Sequence, residues 1–118
     1  MSDSAREPAA LPLSEPMFLI LLVLEESHLH GYAIRQQIAA RTNDEHVLRT
    51  GTLYNALSRL SRDGLVAEVS RESAGRGKRE YRLTREGRTA LDAETQRLQR
   101  LADLATQRPL QNKPESAS

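Results

Sequence analysis

Apolar residues follow different spacings along the chain, and each spacing predicts one element of secondary structure. The run Met17–Leu24 is apolar at every position, which predicts a helix that begins at an N-cap at Ser14. We expect this helix to be covered on all sides, partly by its own domain and partly by a second subunit. A second helix is predicted from the break at His30-Gly31-Tyr32 to about Arg41. The polar stretch 42–48 then connects it to a third helix.

The third predicted helix has two faces of opposite character. Thr50 is its expected N-cap, and Asp63-Gly64 is its expected end. One face is apolar at positions i, i+3, i+4 and i+7, namely Leu53, Ala56, Leu57 and Leu60. The opposite face carries side chains that can hydrogen-bond a base edge or a phosphate: Thr52, Asn55, Arg59 and Arg62. Such a helix is held by its own domain on one side and presents the other side to a polar partner.

Beyond Gly64 the spacing changes from helical to alternating. In residues 65–69, Leu65, Ala67 and Val69 occupy every second position, and in residues 80–83 Tyr81 and Leu83 do so. Each segment therefore places apolar side chains on one face of a short predicted strand. The segment between them contains Gly75 and Gly77, which predicts a turn and hence a two-stranded hairpin, or wing. Its tip is basic and suited to the DNA backbone or minor groove through Arg76, Lys78 and Arg79.

A final long helix is predicted from Arg85, with Thr84 as its cap, to about Gln107. An apolar seam runs along it, in which Leu91, Leu98 and Ala105 recur every seven residues and Leu101 and Leu104 add to the apolar surface. Such spacing favours packing against a partner helix, although Glu94 falls where a strict heptad has an apolar residue.

The predicted order is helix, helix, helix, strand, strand, helix, a mainly α (α+β) fold of the winged helix-turn-helix type. Residues 13–84 form the expected DNA-binding domain and residues 85–107 a C-terminal dimerisation helix. Residues 1–12 and 108–118 lack apolar periodicity and are predicted to be flexible tails. The remaining folded unit is small enough that dimer formation is a natural route to stability.

Charge changes the interpretation of the third helix and the wing. The net charge is only +1, but the segment from Arg49 to Arg88 holds ten basic and five acidic residues, so it carries +5 and the rest of the chain −4. A basic segment in an otherwise acidic chain is typical of a phosphate-binding face. Composition alone is equally consistent with an ordinary solvated surface.

Asn55 and Arg59 are the best candidates for reading bases, because asparagine pairs bidentately with adenine and arginine with guanine. Thr50 and Thr52 lie at the helix start, where a phosphate is favoured. Tyr54 lies on the flank of the helix, with a hydroxyl that is also suited to a phosphate. Taken one at a time, each of these positions is equally well described as an ordinary exposed helix residue.

Several of these segments together resemble the PadR family of bacterial transcriptional regulators. The resemblance spans Ser14 to Gly87 and rests on His30-Gly31-Tyr32, on Thr50-Gly51-Thr52-Leu53-Tyr54-Asn55-Ala56-Leu57, on Gly64-Leu65-Val66, on Arg79-Glu80-Tyr81-Arg82-Leu83-Thr84 and on Glu86-Gly87. It implies a winged helix-turn-helix protein of the compact branch. Such a protein usually acts as a homodimeric repressor that is released by a small effector. A two-fold symmetric dimer further predicts a pseudo-palindromic operator in double-stranded DNA.

Some compact members bind flat aromatic molecules at the dimer interface through a tryptophan of the last helix. This chain has no tryptophan, which argues against aromatic stacking of an effector. A hydrophobic effector, if one exists, is expected at the face formed by Met17, Phe18, Leu21, Leu91, Leu98 and Leu101, for which core and dimer packing is the simpler role.

Other classes of protein are less well supported. The chain has no cysteine, no Gly-x-Ser-x-Gly turn and no glycine-rich phosphate loop, so we expect neither enzyme activity nor a cofactor. His28 and His30 are two residues apart, a poor spacing for a metal site. No segment approaches the roughly 20 apolar residues of a membrane span, which favours a cytoplasmic protein. The alternative from another class is a winged-helix module that binds protein and not DNA.

Overall fold

The computed structural model describes residues 12–69 and 79–108. Within these ranges the chain forms four helices and three strands in the order α1 (Glu15–Leu24), β1 (Leu29–His30), α2 (Gly31–Arg41), α3 (Thr50–Arg62), β2 (Val66–Val69), β3 (Glu80–Leu83) and α4 (Arg85–Thr106). The predicted winged helix fold is confirmed, with β1 as an additional strand. The predicted tails, apart from residues 12 and 108, and most of the wing tip, 70–78, lie outside the described residues.

The three strands form one antiparallel sheet in the order β1-β3-β2. Strands β2 and β3 are the predicted hairpin, and their register pairs Val66 with Leu83 and Val69 with Glu80. On its other side β3 pairs with β1, so that His30 lies opposite Glu80. The sheet therefore ties the base of the wing to the residue that precedes α2.

Helix α1 lies at the centre of the core, and a single chain covers only part of it, which leaves the predicted cover by a second subunit untested. Ile20, Leu21, Val23 and Leu24 are buried, whereas Met17, Phe18, Leu19 and Leu22 are only partly buried against the same core. The reason is geometric, because a single domain of this size packs α2, α3 and α4 around part of the helix only. One side of α1 is left partly open.

Two of the three predicted helix caps are observed. The Ser14 hydroxyl accepts a hydrogen bond from the Met17 N–H at 3.2 Å, and the Thr84 hydroxyl accepts one from the Gly87 N–H at 2.9 Å. The prediction that Thr50 caps α3 is wrong. The extended residue before the helix is Arg49, whose carbonyl accepts the Leu53 N–H at 2.9 Å, so Thr50 is already the first helical residue.

The junction between α3, β2 and α4 is unusually close. Thr84 donates its hydroxyl to the Gly64 carbonyl at 2.7 Å and its N–H to the Leu65 carbonyl at 3.1 Å. A Cβ atom at Gly87 would collide with the Leu65 carbonyl oxygen and with the Leu83 side chain. The glycine therefore lets the first turn of α4 sit directly against Leu65, just after the end of α3.

Helix α4 is 22 residues long and changes its surroundings along its length. Its first half packs on the domain through Gly87, Ala90, Leu91 and Glu94, all of which are buried. Further along the same helix the large apolar side chains are exposed, with Leu98 at 38% and Leu101 at 49%. No helix in the described parts of the chain has the length and apolar character of a membrane span.

Glu94, which occupies a position where a strict heptad has an apolar residue, is a buried carboxylate that is only 2% exposed. Its two oxygens accept hydrogen bonds from Nε and Nη2 of Arg97, both at 2.9 Å. The hydrogen bond from Arg97 is the main cause that lowers the pKa of Glu94 below its ordinary value of 4.5, and the Leu13 backbone N–H adds to it. Glu94 is thus held by a bidentate contact with Arg97 in the middle of α4.

Because the pKa of Glu94 is lower in the folded state, its stabilising contribution is complete above the ordinary value of 4.5 and is lost as the pH falls toward the folded-state value. We expect Glu94→Gln to reduce the free energy of unfolding by about 1–2 kcal/mol at neutral pH. The difference in unfolding free energy between Glu94→Gln and the parent protein, measured by urea unfolding, should narrow as the pH falls below the ordinary pKa of 4.5. Asp92→Asn, at an exposed position of the same helix, is the control. A gap that is independent of pH would contradict this role.

Candidate nucleic-acid interface

Helix α3 has the two faces that its sequence predicts. Leu53, Ala56, Leu57 and Leu60 are buried in the core, where each buried leucine contributes roughly 1.5–3 kcal/mol. The positions on the opposite face are exposed, namely Thr52, Asn55, Arg59 and Arg62. The leucines hold the helix against the domain, and its polar side is open to a partner.

The start of α3 is fixed by α2 and by the connector between them. Arg35 of α2 is half-buried and donates Nε to the Leu48 carbonyl at 2.6 Å. In the connector, the Thr42 hydroxyl accepts the His46 N–H at 3.0 Å, and Asn43 has a positive φ of 53°. The connector is longer than a minimal turn, but its own hydrogen bonds hold it.

Tyr54 lies where α3 meets the beginning of α2. Its side chain covers Gly31, where a Cβ atom would collide with the Tyr54 hydroxyl. The residue is nevertheless 45% exposed, so it borders both the domain and the solvent. Nothing in the sequence pattern of α3 predicts this contact, which becomes visible only when the two helices are placed side by side.

Arg79 is the one predicted wing residue that the structure describes, since Arg76 and Lys78 lie outside the described residues. Arg79 is exposed and its Nη1 lies 3.5 Å from a carboxylate oxygen of Glu68 on the neighbouring strand. Burial is the main cause that raises the pKa of the nearby Tyr81 hydroxyl, and Arg79 opposes this rise. An exposed ion pair of this length is weak. Arg79 thus lies at the base of the wing, where its weak pair with Glu68 can be exchanged for a contact with another anion.

Arg59 of α3 likewise makes only a weak contact within the protein. Arg59 lies 3.9 Å from Asp63 one turn further along, with most of its side chain in solvent. The chain has 16 acidic residues, yet neither α2 nor α3 contains one. The absence of acidic residues from 31–41 and 50–62 can be read from the sequence, but it can be assigned to two helices only once their bounds are known.

The residues predicted for a dimer or effector face fall into three environments. Leu21 and Leu91 are core residues, at 0% and 2% exposure. Met17 and Phe18 are half-buried on α1, and Leu98 and Leu101 are exposed on the outer half of α4. The set therefore forms no single open surface within one chain. No group of three or more potential metal ligands occurs in the described ranges 12–69 and 79–108.

Comparison with known proteins identifies the family. The family model described as the transcriptional regulator PadR-like family matches residues 20–93, which is most of the folded chain. This chain belongs to the PadR-like family of transcriptional regulators. The resemblance seen in the sequence is confirmed, and with it the expectation of a regulator, not an enzyme.

Named relatives of this PadR-like chain agree in sequence and fold. Transcriptional regulator Rv3488 of Mycobacterium tuberculosis is 35% identical over 77 residues, which cover 65% of this chain and 69% of the relative. A PadR family regulator from Clostridium difficile is 32% identical with a TM-score of 0.66, covering 78% of this chain and 95% of the other. The fold is also shared with Bacillus subtilis PadR in complex with operator DNA, at a TM-score of 0.61, 21% identity and coverage of 70% and 47%.

Proposed function

We propose that this PadR-like chain is a sequence-specific DNA-binding regulator that acts as a homodimeric repressor and is released by a small hydrophobic effector. The observation that carries the proposal is the polar, exposed face of α3 opposite its buried leucines, on a helix that lacks acidic residues. A helix of this width fits the major groove, and its exposed donors are those that bases and phosphates accept.

In the proposed complex α3 is the recognition helix. Asn55 and Arg59 read base edges, for which asparagine and arginine have the matching donor geometry. Thr50 and Thr52 are exposed in its first turn and bind phosphate, together with Arg62 and the flanking Tyr54. The 3.9 Å pair between Arg59 and Asp63 is weak enough to be exchanged for a base contact.

The wing supplies the second contact to DNA. Arg76, Lys78 and Arg79 are proposed to bind the backbone or the adjacent minor groove, where affinity comes mainly from counterion release. The pair between Arg79 and Glu68 holds one of these cations at the base of the wing in the free protein. On binding, a phosphate takes the place of the carboxylate.

The dimer is proposed to form through α4. About 100° of rotation per residue places Leu98, Leu101 and Ala105 on the same side of this helix as the buried Leu91 and Glu94. The side that the domain covers in the first half is therefore the side left bare in the second half. A second copy of the chain is the natural cover for it, and a two-fold dimer matches a pseudo-palindromic operator with half-site centres about 34 Å apart.

An effector site is proposed where this seam meets the partly open side of α1. Met17 and Phe18 supply half-buried apolar surface there, and Leu98 and Leu101 supply exposed surface, with Leu21 and Leu91 supporting them from the core. In the absence of a tryptophan, the ligand is an aliphatic or small apolar molecule and not one held by aromatic stacking. Its binding competes with the dimer arrangement that presents both recognition helices.

The test is binding to the DNA that flanks the gene of this protein, followed by footprinting. Arg59→Ala is expected to cost about 1–3 kcal/mol, concentrated at particular bases. Lys78→Ala is expected to weaken binding to all sequences alike and to reduce the salt dependence by about one phosphate contact. Unchanged binding in both variants would contradict the site assignment. Duplex affinity that ignores salt would favour the protein-binding alternative.

A further inference from the structure

Helix α2 is docked onto the beginning of α3 by two separate contacts. Arg35 donates to the Leu48 carbonyl at 2.6 Å, two residues before α3 begins. One turn earlier on α2, Gly31 lies against the hydroxyl end of Tyr54, which belongs to the first turns of α3. The side of α2 that carries Gly31 and Arg35 therefore faces the start of the recognition helix.

The opposite flank of α2 is marked by a different contact. Arg41 lies 3.6 Å from Glu26, just beyond the end of α1. Gln37 precedes Arg41 by four residues and so lies on that α1 side of the helix, where it is exposed. The two contacts thus distinguish an α3 side from an α1 side of α2.

Tyr32 and Gln36 form the exposed edge on the α3 side. Tyr32 precedes Arg35 by three residues and Gln36 by four, so these side chains share one surface of the helix. Tyr32 is 63% exposed and Gln36 is also exposed, although neither position is required for the core. This edge is continuous with the start of α3 through the Arg35 contact.

The chemistry of this edge matches a phosphate backbone. A tyrosine hydroxyl and a glutamine amide are neutral donors of the kind that bind phosphate oxygens. Helix α2 has two arginines and no acidic residue, so no carboxylate on the helix repels a polyanion. When a recognition helix enters the major groove, the preceding helix of the motif crosses the backbone that borders the groove.

We propose that Tyr32 and Gln36 form a second phosphate-binding edge, which contacts the DNA backbone beside the groove occupied by α3. This inference rests on the proposed function and adds two residues of α2 to those proposed to contact DNA. The contacts are made by neutral donors. They therefore strengthen binding to every sequence and release no counterions of their own.

The test compares Gln36→Lys with Gln37→Lys on a duplex of about three helical turns that lacks an operator. Both variants add one positive charge to neighbouring exposed positions of the same helix, but only position 36 lies on the proposed edge. We expect Gln36→Lys to raise affinity about 3- to 10-fold at about 0.1 M salt and to steepen the slope of log K against log salt by about 0.9 per protomer. Gln37→Lys should change affinity less than about twofold.

A second variant removes a donor without changing the charge. Tyr32→Phe is expected to lower affinity about 2- to 10-fold on operator and non-operator DNA alike and to leave the salt slope unchanged. Equal effects of lysine at 36 and 37, together with an unaffected Tyr32→Phe, would overturn the inference while the proposed function stands. Loss of salt-dependent duplex binding in the parent protein would instead overturn the proposed function itself.

Discussion

Gly87→Ala is expected to destabilise the protein by about 3 kcal/mol or more, the upper part of the range for overpacked sites. The added Cβ would meet the Leu65 carbonyl oxygen, a backbone atom that cannot rotate away, and the Leu83 side chain. The same Leu65 carbonyl accepts the Thr84 N–H, so relief of the collision breaks the junction between β3 and α4. In a thermal melt the loss corresponds to a fall in Tm of roughly 12 °C or more.

Gly51→Ala is the matched control, because it makes the same substitution within a helix. A Cβ at Gly51 meets no atom within 4 Å, and alanine is a better helix former than glycine. This variant is expected to melt at the parent temperature or slightly above it, with a gain of about 0.5–1 kcal/mol. Equal stability of the two variants would mean that the contact between Gly87 and Leu65 is looser than the structure has it.

Leu101→Glu is expected to convert the proposed dimer into a monomer and to reduce operator affinity about 100-fold or more. The residue is 49% exposed in one chain, so the substitution removes nothing from the domain core. In a dimer it would place a charge in an apolar seam, where an unpaired charge is costly. Loss of the second DNA-binding unit removes the gain of 10²–10⁴ that two linked sites provide.

Sedimentation or light scattering measures the change in mass, and binding to a one-half-site duplex measures the remaining affinity. Gln96→Glu adds the same charge to an exposed position on the other side of α4 and should leave the dimer intact. A Leu101→Glu protein that stays dimeric would place the interface elsewhere. A parent protein that is monomeric at micromolar concentration would contradict the dimer itself.

The sequence predicts α3 well because its spacing leaves little choice. Four apolar residues at helical intervals and a polar set opposite them define which side is buried, and the structure agrees at each of these positions. The wing strands are predicted equally well, because the spacing changes to alternation at Gly64 and again before Tyr81. For α3, local periodicity therefore predicts the exposed face as well as the fold.

The features that the sequence does not predict depend on distant contacts. Strand β1 has two residues, too few for any alternation, and exists only because β3 lies beside it. Arg35 looks like an ordinary surface charge until Leu48 is placed next to it. Glu94 looks like an interruption of the apolar seam until Arg97 is placed next to it. Tyr54 and Gly31 are 23 positions apart, so their contact is a property of how two helices meet.

Helix α4 is continuous from the domain junction to its exposed end, and its 22 residues span about 33 Å. Thr84, the cap of this helix, donates a hydrogen bond to Gly64, directly after α3, so the orientations of the two helices are coupled. In the proposed dimer, a tilt of α4 by about 10° at its first turn displaces its C-terminal end by about 6 Å. The distance between successive DNA grooves is fixed. A molecule bound at the base of α4 would therefore change the spacing of the two α3 helices in the proposed dimer, so that they no longer match the duplex, although the molecule contacts neither α3 helix.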